Sequence, residues 1–185
     1  MINQDKHCIK AKELFIKYNG SHFHMEREME YTQYKSYGIS PKMEKEWSVE
    51  LRNALLVKLE GEKDQKKITN TVFDLKDLII QYYDELGLAS LVSYVEKNVS
   101  MLDTFTKLTI AETILNVLGE FNIFTKNKRK YANFAIGILE DICTKPVRIS
   151  EYHLENGKIP DFMENAILIE RAKNGVRAWK KFNIK

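Results

Sequence analysis

Proline, glycine and cysteine are scarce in this chain of 185 residues, which has 3 prolines, 8 glycines and 2 cysteines. Because proline and glycine are typical turn residues, their scarcity argues against the many turns of a β-sandwich and favours long uninterrupted helices. The two cysteines, Cys8 and Cys143, lie too far apart in the sequence for a paired-cysteine metal motif. Isolated thiols of this kind are typical of reduced residues in a cytosolic protein.

Long apolar runs are also missing. No stretch approaches the ~18 consecutive apolar residues of a membrane span, and the N-terminus has no apolar run of the kind that a secretory signal needs. We therefore expect a cytoplasmic protein without a membrane partner. Lysine outnumbers arginine by 23 to 6, a bias expected of an AT-rich genome, and this suggests a bacterial source.

The familiar motifs of catalysis and nucleotide binding are absent as well. The chain has no Gly-x-Ser-x-Gly elbow, no Gly-x-x-x-x-Gly-Lys loop and no Gly-x-Gly-x-x-Gly loop. Cys8 follows His7 directly, but neighbours in sequence point apart on a helix or a strand, so this pair does not predict a nucleophile. We therefore predict no cofactor and favour a non-enzymatic protein.

Apolar residues recur at helical spacing along most of the chain. Ser40 and Pro41 predict the start of a helix over 41–59, because serine caps helices and proline suits the first helical position. Further stripes predict helices that end near Gly87, over 88–99, 103–121 and 128–143, and from Pro160 to about residue 179. The helix over 103–121, with Ser100 and Asp103 as candidate caps, is apolar on more than one side, which predicts a central position.

This succession of helices predicts a mainly α fold of about seven helices, arranged as a multi-helix bundle or a short HEAT-like helical stack. No repeat is visible at the level of individual residues. The length predicts one globular domain over 1–185, with an N-terminal helix or hairpin arm over 1–38 and a helical core over 41–182.

The segment before residue 38 allows two interpretations of Asn19-Gly20. Gly20 either ends a helix over 5–18 as a C-cap glycine with positive φ, or it completes a type I′ turn between two strands. Polar and apolar side chains alternate strictly after the turn, and this period of two favours a short β-hairpin or extended arm near residues 14–30. Phe23 and Met25 would pack that arm against helices, because a lone hairpin is marginal in water.

The opposite face of the predicted strand carries His22, His24 and Glu26. Imidazoles two residues apart on a strand lie roughly 6–7 Å apart at their bases, so they can converge on one transition-metal ion with Glu26 as a third ligand. A metal-dependent enzyme with a site here is therefore one alternative function. The other interpretation is a polar surface face, because no paired-cysteine or His-Glu-x-x-His spacing is present.

Basic residues are concentrated toward the C-terminus. Residues 101–185 carry 14 basic and 10 acidic side chains, whereas residues 1–100 carry 15 and 16. A nucleic-acid-binding protein is therefore another alternative, and its predicted contacts are Lys126, Lys128, Arg129, Lys130, Arg177, Lys180 and Lys181. The group near the C-terminus also has a structural explanation, because cations at the end of a helix complement the helix dipole.

The main prediction is a non-enzymatic helical interaction or regulatory protein that binds another macromolecule. It follows from a chain that consists almost wholly of packing helices and lacks the motifs of catalysis. The partner would be another protein or a second copy of the chain in a homo-oligomer, with nucleic acid as the alternative.

Overall fold

Helices make up nearly all of the regular structure. A computed structural model describes residues 2–120 and 127–182. Within these ranges the chain forms nine α-helices, two 3₁₀ turns and no β-strand beyond the isolated bridge between Glu155 and Lys158. The helices are α1 (Ile2–Lys17), α2 (His22–Arg27), α3 (Tyr31–Ser36), α4 (Pro41–Glu60), α5 (Gln65–Tyr82), α6 (Glu85–Asn98), α7 (Thr104–Glu120), α8 (Lys128–Thr144) and α9 (Asn165–Phe182), and the 3₁₀ turns span Glu151–His153 and Asp161–Met163. The prediction of a mainly α, multi-helix bundle is confirmed, with nine helices in the described ranges rather than about seven.

Capping side chains set the starts of two central helices. The Met43 N–H donates to Ser40 Oγ at 3.3 Å, and Pro41 is the first residue of α4. The Thr106 N–H donates to Asp103 Oδ1 at 2.8 Å at the start of α7. Both caps satisfy a backbone N–H that has no partner within its own helix. Both predicted helix starts are confirmed.

Helix α7 lies at the centre of the bundle and packs against α5, α6, α8 and α9. Its fully buried apolar side chains are Leu108, Ile110, Ala111, Ile114, Val117 and Leu118. A helix that is apolar most of the way round needs neighbours on several sides to cover it, so the predicted central position is confirmed. None of the helices in the described ranges combines the length and the apolar character that crossing a membrane requires.

The β-hairpin or extended arm predicted near residues 14–30 is wrong. Helix α1 runs to Lys17, and the Gly20 N–H donates to the Phe15 carbonyl at 2.8 Å, which is the hydrogen bond of a C-cap glycine. Asn19 and Gly20 both have positive φ, 50° and 73°. A Cβ at residue 20 would lie only 2.8 Å from Leu78 of α5, so this turn needs glycine for space as well as for conformation.

The alternating segment after this turn is also helical. The His24 N–H donates to Ser21 Oγ at 3.3 Å, and this cap starts α2. Met25 is fully buried, as predicted, but Phe23 is 68% exposed. Helix α2 has only six residues and Met25 is its one buried side chain, so the brief alternation of polar and apolar residues did not distinguish it from a strand.

A buried ion pair joins α4 to the turn between α5 and α6. Arg52 Nη1 lies 3.0 Å from both carboxylate oxygens of Asp84, and the two side chains are only 11% and 8% exposed. The Gly87 N–H also donates to Asp84 Oδ1 at 3.2 Å, at the start of α6. Asp84 therefore neutralises a buried cation and caps a helix at the same time.

Replacing Asp84 by alanine leaves the Arg52 cation buried without its carboxylate. We expect Asp84→Ala to lower the free energy of unfolding by about 3–5 kcal/mol, the usual cost of removing one member of a buried pair. Urea denaturation measures this loss. The matched control is Asp77→Ala, because the Asp77 carboxylate is 41% exposed and lies 3.9 Å from Lys76; it should cost less than about 1 kcal/mol. Equal losses in the two variants would contradict this account of the pair.

Candidate functional site

His22 lies in a half-buried polar cluster with Glu44 of α4. His22 Nε2 is 3.3 Å from Glu44 Oε1, and the Tyr34 hydroxyl donates to the same oxygen at 2.6 Å. The Tyr31 hydroxyl lies 3.5 Å from His22 Nδ1, and the two rings pack with their centroids 5.0 Å apart. The cluster therefore ties the short helices α2 and α3 to the start of α4.

The ionisation of this cluster favours a structural role. Burial raises the pKa of Glu44, but the hydrogen bonds from His22 and Tyr34 outweigh burial, so the pKa lies below its ordinary value of 4.5. Burial and the Glu44 carboxylate raise the pKa of Tyr34 well above 10. A general acid or base works best with a pKa near the working pH, and neither Glu44 nor Tyr34 meets that condition near neutrality.

The three predicted metal ligands do not share a face. In a helix, residues two apart point in nearly opposite directions, so His24 turns away from His22, and its ring lies 5.7 Å from that of Phe23 between centroids. Glu26 is exposed. Among residues 2–120 and 127–182, no three His, Cys, Asp or Glu side chains gather in a way that would hold a metal ion. The strand geometry on which the metal prediction depended is therefore absent.

The basic residues predicted to bind nucleic acid lie on two helices. Those that the structure describes are Lys128, Arg129 and Lys130 at the start of α8, and Arg177, Lys180 and Lys181 near the end of α9; Lys126 lies outside the described residues. Lys180 Nζ is 3.4 Å from Glu140 Oε1. Glu140 follows Lys130 by ten residues on α8, which is about 15 Å of helix, so this contact does not bring the two groups together. Nucleic-acid binding by these residues stays a prediction.

A buried polar network that the sequence did not predict surrounds Asp103. Asp103 Oδ1 caps α7, and Asp103 Oδ2 accepts the Ser150 N–H at 2.8 Å. His153 Nε2 lies 3.4 Å from the same oxygen and 3.4 Å from the Thr106 hydroxyl. The Asp103 N–H donates to Gln65 Oε1 at 3.0 Å. This set of contacts, hereafter the Asp103 network, joins α5 and α7 to the first 3₁₀ turn.

A second pair of contacts fixes the chain just before that turn. The Thr104 N–H donates to the Arg148 carbonyl at 2.8 Å, and the Arg148 N–H donates back to Thr104 Oγ1 at 2.9 Å. The only sequence signal for the Asp103 network was Asp103 itself, as a candidate cap of α7. Its partners Ser150 and His153 follow it by 47 and 50 residues, so no local pattern connects them.

Residues 151–167, which include the end of the Asp103 network, expose both apolar and acidic side chains. The exposed apolar side chains are Tyr152, Leu154, Ile159, Phe162 and Ile167. The exposed charged side chains are the carboxylates of Glu151, Glu155, Asp161 and Glu164 and the ammonium of Lys158. The Phe105 ring lies 5.1 Å from His153 and 5.8 Å from Phe162, between centroids, so one side chain of α7 underlies both 3₁₀ turns. We call these ten exposed residues the acidic–apolar surface.

Comparisons of the chain with protein-family models, with curated proteins and with solved structures found no match. The geometry and the chemistry of the surfaces described here are therefore the basis for a functional proposal.

The buried imidazole of His153 predicts a pH dependence of stability. Burial lowers the pKa of His153 from its ordinary value of 6.5, although the Asp103 carboxylate opposes this effect. Below pH 6.5 the unfolded chain binds a proton that the folded protein excludes. The stabilising contribution is therefore complete above that pH and is lost as the pH falls from 6.5 toward the folded pKa. We expect His153→Gln to flatten the decline of the unfolding free energy below pH 6.5, as measured by urea denaturation at several pH values.

The matched control is His24→Gln, which removes a half-buried histidine of α2 that lies outside the Asp103 network. This variant should retain the pH dependence that His153 contributes. A His153→Gln curve that runs parallel to the wild-type curve throughout the acidic range would contradict the role of the buried imidazole.

Proposed function

We propose that this chain is a non-enzymatic interaction protein that uses the acidic–apolar surface to bind another protein with a basic and apolar surface. The observation that carries the proposal is the concentration of five exposed apolar side chains and four carboxylates within residues 151–167. Exposed apolar groups that cluster on a folded protein mark interaction sites more often than groups scattered singly. Aromatic side chains such as Tyr152 and Phe162 are also the types enriched at the energetic centre of interfaces.

The backbone of the acidic–apolar surface is held in place before a partner binds. Residues 145–164 contain only the two 3₁₀ turns and the bridge between Glu155 and Lys158, yet the Ser150 N–H is bonded to Asp103 and the backbone of Arg148 to Thr104. The first 3₁₀ turn packs on α5 and the second on α9. A surface that is ordered before binding loses less conformational entropy when a partner docks.

The charge of the surface defines the partner. Four carboxylates and one lysine give a net charge of −3. Among the described residues, none of these four carboxylates makes an ion pair or a side-chain hydrogen bond. Unpaired carboxylates repel the phosphates of nucleic acid and attract cationic side chains, which favours a basic protein as the partner of this surface. A second copy of this chain is one such partner, because residues 101–185 carry an excess of four basic groups.

Model peptides test the proposed chemistry directly. An amphipathic peptide of lysine and leucine should bind the protein, and a peptide of the same pattern with glutamate in place of lysine should not; fluorescence anisotropy measures both. Reversing two charges in Glu155→Lys/Glu164→Lys should weaken binding of the lysine peptide about tenfold at low salt. Ile159→Ser should weaken it through loss of apolar contact.

The matched control is Glu13→Lys/Glu46→Lys, which makes the same change of net charge at exposed positions on α1 and α4. It should bind the lysine peptide nearly as well as the wild type. Equal weakening in the two double variants, or equal binding of the lysine and glutamate peptides, would contradict the proposal.

Nucleic-acid binding and self-association of the protein are measured as well. Salt-dependent binding of duplex DNA or single-stranded RNA that is lost in Lys128→Ala/Arg129→Ala/Lys130→Ala, without peptide binding, would replace the proposal by the nucleic-acid alternative. Sedimentation equilibrium shows whether the partner is a second copy. Self-association that Glu155→Lys/Glu164→Lys weakens would support the same surface.

A further inference from the structure

A cleft of about 300 Å³ opens where the end of α6, the start of α7 and the end of α8 meet. Three cationic side chains line it, Lys107 of α7 together with Lys145 and Arg148 from the chain after α8. The one carboxylate in its lining is Asp141. The excess of positive charge gives the cleft the polarity of an anion site.

Two of the three cations make no ion pair in the described residues. Lys145 Nζ forms an ion pair with Asp141, and both side chains of that pair are largely exposed. Among residues 2–120 and 127–182, neither Lys107 Nζ nor the Arg148 guanidinium takes part in a hydrogen bond or an ion pair. Lys107 is half-buried, and burial, together with the charges of Lys145 and Arg148, lowers its pKa from 10.5 against the opposing charges of Asp141 and Asp103. A bound anion would relieve this repulsion.

The scaffold holds the backbone of Arg148 and Lys107 in place before any ligand arrives. The backbone of Arg148 is clamped to Thr104 by the two hydrogen bonds described above. Lys107 lies one turn further along α7, and its N–H donates to the Asp103 carbonyl at 3.0 Å. The Asp103 carboxylate takes part in the buried network and does not line the cleft. The three cations therefore line a cleft that has one carboxylate, Asp141, in its lining.

The rest of the cleft is largely apolar. Its apolar lining residues are Val99, Leu102, Ile138, Ile142 and Pro146. Leu102, Ile138 and Ile142 are buried parts of the core, so they form a fixed wall. Small-molecule sites usually combine such an apolar wall with a few converging polar groups, and a volume of about 300 Å³ lies at the lower end of their range.

We propose that this cleft binds a small organic phosphate, with the phosphate dianion between Lys107 and Arg148 and the apolar body of the ligand against Ile138 and Ile142. Two unpaired cations match the two charges of a phosphate monoester, and the guanidinium of Arg148 suits its oxygens. No residue of the cleft belongs to the acidic–apolar surface, so this site goes beyond the proposed function.

Three probes test the proposal by NMR titration of the full chain. Phenyl phosphate carries both the dianion and an apolar body, inorganic phosphate carries only the charge, and benzyl alcohol carries only the apolar body. We expect phenyl phosphate to bind most tightly, inorganic phosphate more weakly and benzyl alcohol least. The shifts should centre on the amides of Lys107, Arg148 and Ile142, and the affinity should fall as salt is added.

Charge-removing variants locate the site. Lys107→Met and Arg148→Met should each weaken the binding of phenyl phosphate about tenfold or more. The matched control is Lys76→Met, because Lys76 of α5 has a similarly covered side chain and lies outside the cleft; it should bind like the wild type. Arg148→Met serves as an independent test because that side chain is exposed and its loss leaves the core intact.

Three results would overturn the proposal. The first is the absence of saturable shifts with phenyl phosphate. The second is equal affinity for phenyl phosphate and benzyl alcohol, which would indicate apolar binding only. The third is wild-type affinity in both Lys107→Met and Arg148→Met, which would place the anion elsewhere.

Discussion

The carboxylate of Asp103 is the contact on which the C-terminal part of the structure depends. One oxygen caps α7 through the Thr106 N–H, and the other accepts the Ser150 N–H and faces His153. The backbone of the same residue donates to Gln65 at the start of α5. Because these groups are buried or partly buried, loss of the carboxylate would leave several donors without a partner, each at a cost of about 1–3 kcal/mol. A single residue thus connects two helices with a segment that has almost no regular structure of its own.

The cleft and the acidic–apolar surface both include residues of the segment that Asp103 helps to hold. The segment after α8 contributes Lys145 and Arg148 to the cleft that Lys107 also lines. The carboxylates of the acidic–apolar surface begin a few residues later. The Arg148 N–H donates to Thr104 and the Ser150 N–H donates to Asp103, so the chain that joins the two groups is fixed to the start of α7.

The sequence predicts the parts of this structure that depend on local patterns. The helices around Pro41 and within 103–121 follow from caps and apolar spacing, because both act over a few residues. The hairpin predicted at Gly20 is wrong because the same Asn-Gly pair can end a helix or start a hairpin, and the hydrogen bond from the Gly20 N–H to the Phe15 carbonyl shows that it ends a helix. The Asp103 network escaped prediction because Ser150 and His153 lie 47 and 50 residues after Asp103, beyond the range of any local pattern.

Hydrogen exchange at the Ser150 amide tests most directly whether the Asp103 carboxylate holds this segment. The account predicts that the Ser150 and Thr106 amides exchange slowly in the wild type, although Ser150 lies outside any helix. In Asp103→Ala both should exchange much faster, while the Gly87 amide, which Asp84 caps, should keep its protection. Rapid exchange of the Ser150 amide in the wild type, or unchanged protection of it in Asp103→Ala, would contradict the account.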